Sequence, residues 1–115
     1  MQLQVFITGE TDRIPDILSG LMESGISGTT IVECEGGLQV LGQSEVEKVP
    51  AFGMLRRFLN PSVQRNKMLI TVLQDEQVAV DRRVILNNIG DISLPEKGIL
   101  FTIPVGSPEG LAEQQ

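Results

Sequence analysis

Residues 14–34, IPDILSGLMESGISGTTIVEC, decide how the fold is interpreted. In the first half of this stretch, apolar residues at positions 14, 17, 18, 21 and 22 have the spacing of one face of an amphipathic helix. Gly25 stands where a left-handed residue would end that helix, and the apolar residue Ile26 follows it. The β-branched run from Thr29 to Cys34 is typical of a strand. The stretch therefore predicts a helix that a glycine turn joins to a strand.

Local signals also mark the ends of two helices. Thr11 or Asp12 is the predicted cap of the first helix, and Pro15 is tolerated because it falls in the first turn. Gly20 weakens the helix interior, which predicts a close neighbour at that point. Asp75 is the predicted cap of a second helix, whose apolar side is formed by Val78, Val84 or Ile85, and Ile89.

Three further strands surround this helix–strand unit. They are predicted at residues 3–8, 67–73 and 99–105. The order βαβ, long connection, βαβ predicts one α+β domain over residues 1–115. We expect a ferredoxin-like βαββαβ sandwich, an antiparallel four-stranded sheet with both helices on one face.

Two segments fall outside this regular pattern. Residues 36–66 form a long connection that is rich in Gly, Ser, Pro and charges, with one short helical candidate from Phe52 to Leu59. Connections of this length inside a compact domain are usually functional or disordered. Residues 106–115 are predicted to form a flexible tail.

Composition narrows the classes of function. The single cysteine, Cys34, excludes an internal disulfide, and we expect its thiol to be a small buried hydrophobe. The absence of histidine removes the commonest general base and transition-metal ligand, so we predict no catalytic residue and no metal site. A net charge of −6 disfavours nucleic acid as a partner. Without a signal-peptide pattern or a bilayer-spanning apolar run, we expect a cytoplasmic protein without membrane insertion.

A family resemblance rests on two segments in a fixed order. Residues 25–33, GISGTTIVE, lead to Gly36, where the long connection begins, and residues 98–105, GILFTIPV, form the last strand. Together they resemble the PII-type signal-transduction proteins of nitrogen regulation, over nearly the whole chain. The resemblance implies a homotrimer, and a trimer is physically reasonable because the face of the sheet without helices needs cover. It also implies a nucleotide or metabolite site between subunits, and a long loop that controls a partner such as a transporter or an enzyme. The ligand-binding residues that it implies are Gly36, Gly37, Gln39, Gly90, Asp91, Lys97 and Gly98.

The chain departs from the family pattern at both ligand segments. The long loop usually begins Gly-x-Gly-Arg-Gln, but residues 36–40 read GGLQV and lack the arginine. The chain contains no tyrosine, which excludes uridylylation at the usual residue. Before the last strand the family reads Thr-Gly-x-x-Gly-Asp-Gly-Lys, whereas residues 90–98 read GDISLPEKG and place Lys97 before Gly98. Because a triphosphate needs several cations, we expect a smaller anion such as bicarbonate, or an adenine nucleotide with fewer phosphates.

Simpler interpretations of the same residues stay open. Gly36-Gly37 and Gly90-Asp91 are equally typical of plain turns, and Lys97 of an exposed loop lysine. The preferred hypothesis is a PII-like regulator that is not an enzyme. The alternatives are a divalent-cation-binding trimer of the CutA type and a degenerate scaffold without a ligand. A small ferredoxin-like enzyme comes last, since no convergent acid–base set supports it.

Overall fold

The computed structural model describes residues 1–36, 66–95 and 97–111. In chain order the elements are β1 (Gln2–Thr8), α1 (Ile14–Glu23), β2 (Thr29–Cys34), β3 (Asn66–Leu73), α2 (Val78–Ile89) and β4 (Ile99–Pro104). Each predicted strand is confirmed to within one residue at either end. The predictions for Gly37, Gln39, the short helix at 52–59 and the last four residues of the tail lie outside the described residues.

The four strands form one antiparallel sheet in the order β2-β3-β1-β4. The central strand β1 pairs Val5 with Ile70 on one side and with Phe101 on the other. The outer strands β2 and β4 are therefore the two edges of the sheet. The α+β architecture is compatible with the predicted ferredoxin-like fold.

Both helices pack on the same face of the sheet. The buried core combines side chains from the sheet, the two helices and the segment after α1: Phe6, Leu69, Leu73, Ile14, Ile17, Leu21, Ile85, Ile89 and Ile26. The predicted apolar face of α1 is confirmed for its centre. Met22 was expected to share this face but is 67% exposed, because it lies about 80° around the helix axis from Ile14.

The end of α1 follows its sequence signal. Gly25 has a φ of 83°, its N–H donates to Met22 O at 3.0 Å, and the N–H of Ile26 donates to Leu21 O at 2.8 Å. These two bonds form a Schellman motif, in which the residue after the left-handed glycine is apolar. Ile26 is accordingly buried in the core. The predicted helix end is confirmed.

The predicted caps at the two helix starts are wrong. A short 3₁₀ turn at Thr11–Arg13 precedes α1, and neither Thr11 nor Asp12 caps that helix with its side chain. Before α2, Gln74 replaces Asp75 as the cap and forms a capping box with Gln77, whose Oε1 accepts from Gln74 N at 2.8 Å. In both cases a 3₁₀ turn shifts the helix start, so the residue nearest the predicted boundary no longer occupies the capping position.

The two helices approach each other closely at Gly20. A Cβ atom at this position would lie 2.7 Å from Cγ1 of Val84 on α2, which is closer than real Cβ contacts. The close neighbour that Gly20 predicted is thus confirmed. Within the described residues, no helix is long and apolar enough to cross a membrane.

Candidate functional site

The sheet face opposite the helices is apolar across all four strands. Leu69 and Leu73 point to the helices, so their neighbours along β3 point to the other face. Nine apolar side chains of β1, β3 and β4 lie there in three rows: Leu3, Val72 and Ile103; Val5, Ile70 and Phe101; Ile7, Met68 and Ile99. We call this surface, together with Thr30, Val32 and Cys34 of β2, the open face. None of these twelve positions carries Asp, Glu, Lys or Arg.

The open face is most exposed along the edge strand β4 and is buried or half-buried along the two central strands. Ile99, Phe101 and Ile103 are 61%, 42% and 45% exposed, whereas Val5 at the centre of the sheet is shielded by its neighbours. The strand spacing makes the face about 14 Å wide and about 20 Å long, a footprint of about 300 Å². A footprint of this size is at the lower end of the range for the largest apolar patch on a typical monomer, and such patches are often functional. Cys34, expected to be buried, is only half-buried at the margin of this face.

The candidate ligand residues lie at one end of the sheet but at its two opposite edges. Gly36 follows the end of β2, where Cys34 pairs with Asn66. Gly98 immediately precedes β4, where Ile99 pairs with Ile7. Since β2 and β4 are three strand steps apart, the strand ends that carry the two groups are separated by about 14 Å. In a single chain, Gly36 and Gly98 therefore lie at opposite edges of the sheet.

The loop before β4 is fixed to the end of β1. Thr8 Oγ1 donates to Lys97 O at 2.9 Å. Gly98 has a φ of 136°, and a Cβ there would lie 2.4 Å from the carbonyl oxygen of Ile7. Only glycine fits this close approach of two backbones. The position of Lys97 and Gly98 is thus set by β1.

Lys97 forms an ion pair with Glu10. Its Nζ atom lies 3.0 Å from Glu10 Oε1, and the two side chains are 28% and 31% exposed. An anionic ligand at Lys97 would have to share the ammonium group with this carboxylate or displace it. The expected anion-binding lysine is present, but its charge is already partly compensated.

Gly90 and Asp91 form a local turn at the end of α2. Gly90 has a φ of 86°, and its N–H donates to Leu86 O at 2.8 Å. Asp91 Oδ1 accepts from Ser93 N at 3.0 Å and from Ser93 Oγ at 2.6 Å. These hydrogen bonds from Ser93 lower the pKa of the Asp91 carboxyl. The Asp91 carboxylate thus stabilises the turn through Ser93, and its negative charge would repel an anion. A direct ligand role for Asp91 stays a prediction.

One polar pair in the interior escaped the sequence interpretation. Asp81 of α2 is 1% exposed, and its Oδ1 accepts a hydrogen bond from Gln4 Nε2 of β1. Burial raises the pKa of the Asp81 carboxyl to about 6, while the Gln4 bond acts in the opposite direction. The sequence does contain a signal for this burial: Asp81 has the helical spacing of the apolar side of α2, three residues after Val78 and four before Ile85.

The described residues contain no group of three or more His, Cys, Asp or Glu side chains arranged to hold a metal ion. A comparison with protein-family models gave no match, and neither did a comparison with curated proteins. Any assignment of function therefore depends on the residues themselves.

Proposed function

We propose that the protein is a PII-like, self-associating regulator that binds a small anion or a nucleotide between subunits and controls a partner protein. The observation that carries the proposal is the division of the candidate ligand residues between the two edges of one sheet. Gly36 at the β2 edge and Gly98 at the β4 edge would form one cleft only if another subunit supplied the missing half. The long connection that starts at Gly36 would then respond to the ligand.

The open face supports self-association with further copies of this chain. It carries no charged group that would select an oppositely charged partner. Its footprint of about 300 Å² is smaller than the roughly 800 Å² per partner of a standard interface. Stable assembly would therefore also involve the adjacent sheet edges. A head-to-tail contact from the β2 edge of one copy to the β4 edge of the next gives a closed ring when the rotation between copies closes after a whole number of subunits, and we propose a ring of three, a homotrimer.

The charges near Lys97 support a small or weakly charged anion as the ligand. The resemblance placed Lys97 in the ligand loop, and Glu10 already compensates part of its charge. A triphosphate needs several charge-assisted contacts, whereas bicarbonate or a nucleotide with fewer phosphates needs fewer. We therefore propose a small anion or such a nucleotide as the effector.

A partner-binding scaffold without a ligand is the second candidate. It is favoured by the ion pair of Lys97 with Glu10 and by the local turn that occupies Asp91. In this case the assembly would present its surfaces to a partner, and the residues of the loop at 90–98 would serve only the fold.

Thermal-shift measurements confirmed by calorimetry separate the two candidates. The ligands are bicarbonate, AMP, ADP, ATP, cyclic nucleotides, 2-oxoglutarate and divalent cations. A ligand that binds the native state stabilises it by about 2.7 kcal/mol at a hundredfold excess over its dissociation constant. The proposal predicts stabilisation by a small anion or nucleotide that is lost in Lys97→Ala but kept in Arg82→Ala, which alters an exposed arginine of α2.

Two other outcomes have defined meanings. If the assembled protein responds to none of these compounds, the sensor proposal is wrong and the scaffold is retained. If divalent cations alone stabilise the protein, the cation-binding alternative replaces both.

A further inference from the structure

Among residues 1–36, 66–95 and 97–111, one carboxyl group is buried, and it lies between the second helix and the sheet. Asp81 of α2 is almost fully excluded from solvent, and Gln4 Nε2 of β1 donates to its Oδ1 atom. Its Oδ2 atom is also buried, and no polar atom of the described residues is within hydrogen-bonding distance of it. An ionised carboxylate in this position keeps little of the hydration that stabilises its charge.

In the part of the chain that the structure describes, the elements packed around Asp81 carry no opposite charge that faces it. Along the helix-bearing face of β1 and β3 the charged residue is Lys67, which pairs with Thr8, about 13 Å along the strand from Gln4. On the same face, the positions of β4 are Leu100, Thr102 and Pro104. The N-terminal ammonium group of Met1, next to β1, pairs with Asp75. The other charged side chains of the two helices and their 3₁₀ turns are exposed to solvent: Asp12, Arg13, Asp16, Glu23, Asp75, Glu76, Arg82 and Arg83. Glu33 at the β2 edge is also exposed, and Glu10 pairs with Lys97.

The buried carboxyl of Asp81 makes the folded protein more stable at acidic pH than at neutral pH. Burial raises the pKa of Asp81 in the folded protein from 3.8 to about 6. The folded state therefore binds a proton that the unfolded state has already released at pH 5. The stabilising contribution of the neutral carboxyl is complete below about pH 3.8 and is lost as the pH rises through about 6.

We propose that Asp81 is a proton-operated contact between α2 and the sheet: the neutral carboxyl is accommodated between them, whereas ionisation buries a charge that the single hydrogen bond from Gln4 only partly offsets, and so loosens the packing of α2 on the sheet. The switch lies within one chain, so it requires neither a bound ligand nor assembly. Its output is the mobility of α2, which ends at Ile89 and leads directly into the loop of residues 90–98. Acidification tightens this element, and a shift to neutral pH releases it.

Nuclear magnetic resonance of the unmodified protein tests the switch directly. The side-chain carboxyl carbon of Asp81 and the side-chain amide of Gln4 are followed from pH 4 to pH 8. The proposal predicts that both signals titrate together with a midpoint near pH 6. It also predicts faster amide hydrogen exchange in the second half of α2 above this midpoint, after correction for the intrinsic pH dependence. A midpoint below about 4.5, or a Gln4 amide that does not titrate, would overturn it.

A matched pair of variants gives an independent readout. Urea unfolding of Asp81→Asn is compared with Asp16→Asn, which removes an exposed acid in the first turn of α1. Relative to the unmodified protein, the folding equilibrium constant of Asp81→Asn should rise about fiftyfold between pH 4 and pH 7, as expected for a carboxyl whose pKa is 3.8 in the unfolded chain and about 6 in the folded protein. Asp16→Asn should show no such change. Parallel pH profiles for Asp81→Asn and the unmodified protein would contradict the proposal; should Asp81→Asn fail to fold, the Gln4 titration decides.

Discussion

Lys97 Nζ lies 3.0 Å from Glu10 Oε1, across 87 residues of sequence. The first residue belongs to the loop before β4, and the second follows β1. Without a ligand, the ammonium group of Lys97 in the candidate ligand loop is therefore already paired with a carboxylate. Glu10 therefore competes with the proposed anion for the ammonium group of Lys97.

Removal of the Glu10 charge should strengthen anion binding. In Glu10→Gln, the ammonium group of Lys97 no longer faces a carboxylate, so we expect bicarbonate or AMP to bind about fivefold to tenfold more tightly, or about 1 kcal/mol. Isothermal titration calorimetry at constant pH and ionic strength measures the change. Asp12→Asn, which alters an exposed acid two residues away, is the control and should leave the affinity unchanged. Equal or weaker binding in Glu10→Gln would contradict a ligand role for Lys97.

Substitution of Gly20 tests the contact between the helices. Alanine is the better helix former by up to about 1 kcal/mol, but its Cβ would lie 2.7 Å from Val84 Cγ1. Overpacking of this kind costs about 1–3 kcal/mol, so we expect Gly20→Ala to lower the free energy of unfolding. In a Val84→Ala background the clash is absent, and the same substitution should become neutral or stabilising. Urea unfolding of the four proteins gives the coupling, and additive effects would exclude the contact.

Gly25 should be replaceable only by residues that accept a left-handed backbone. A side chain at this position meets no other atom within 4 Å, so any cost of Gly25→Ala arises from its φ of 83° and not from crowding. We expect a loss of about 1 kcal/mol, which lowers the melting temperature by about 4 °C. Gly25→Asn is the matched control and should lose less, because asparagine tolerates this conformation better. If both variants melt together with the unmodified protein, the Schellman motif contributes nothing measurable.

The elements of the fold were predictable because their signals are local. The apolar spacing of α1 and the Gly25-Ile26 turn are encoded within one stretch, and so are the β-branched strands. The helix starts were predicted wrongly because 3₁₀ turns at Thr11–Arg13 and Asp75–Gln77 moved them along the chain. Propensity alone does not distinguish such a turn from the first turn of a helix.

The site was less predictable, because its contacts are distant in sequence. Two of these contacts depend on how the strands and helices pack together. They are the ion pair of Lys97 with Glu10 and the hydrogen bond from Gln4 to Asp81. The separation of Gly36 from Gly98 likewise follows from the order of strands in the sheet, which places β2 and β4 at opposite edges. The open face was predicted only in part. The sequence indicated that the face of the sheet without helices needs cover, but not which side chains form it.

Sedimentation equilibrium of open-face variants is the most direct test of self-association, the central claim. The unmodified protein should sediment at three times the chain mass of 12.5 kDa. Phe101→Glu places a charge in the middle row of the open face and should give monomers, whereas Met22→Glu on α1 alters an equally apolar but unrelated exposed residue and should leave the trimer intact. Circular dichroism verifies that both variants are folded. A monomeric unmodified protein at micromolar concentration, or a trimer that persists in folded Phe101→Glu, would contradict the account.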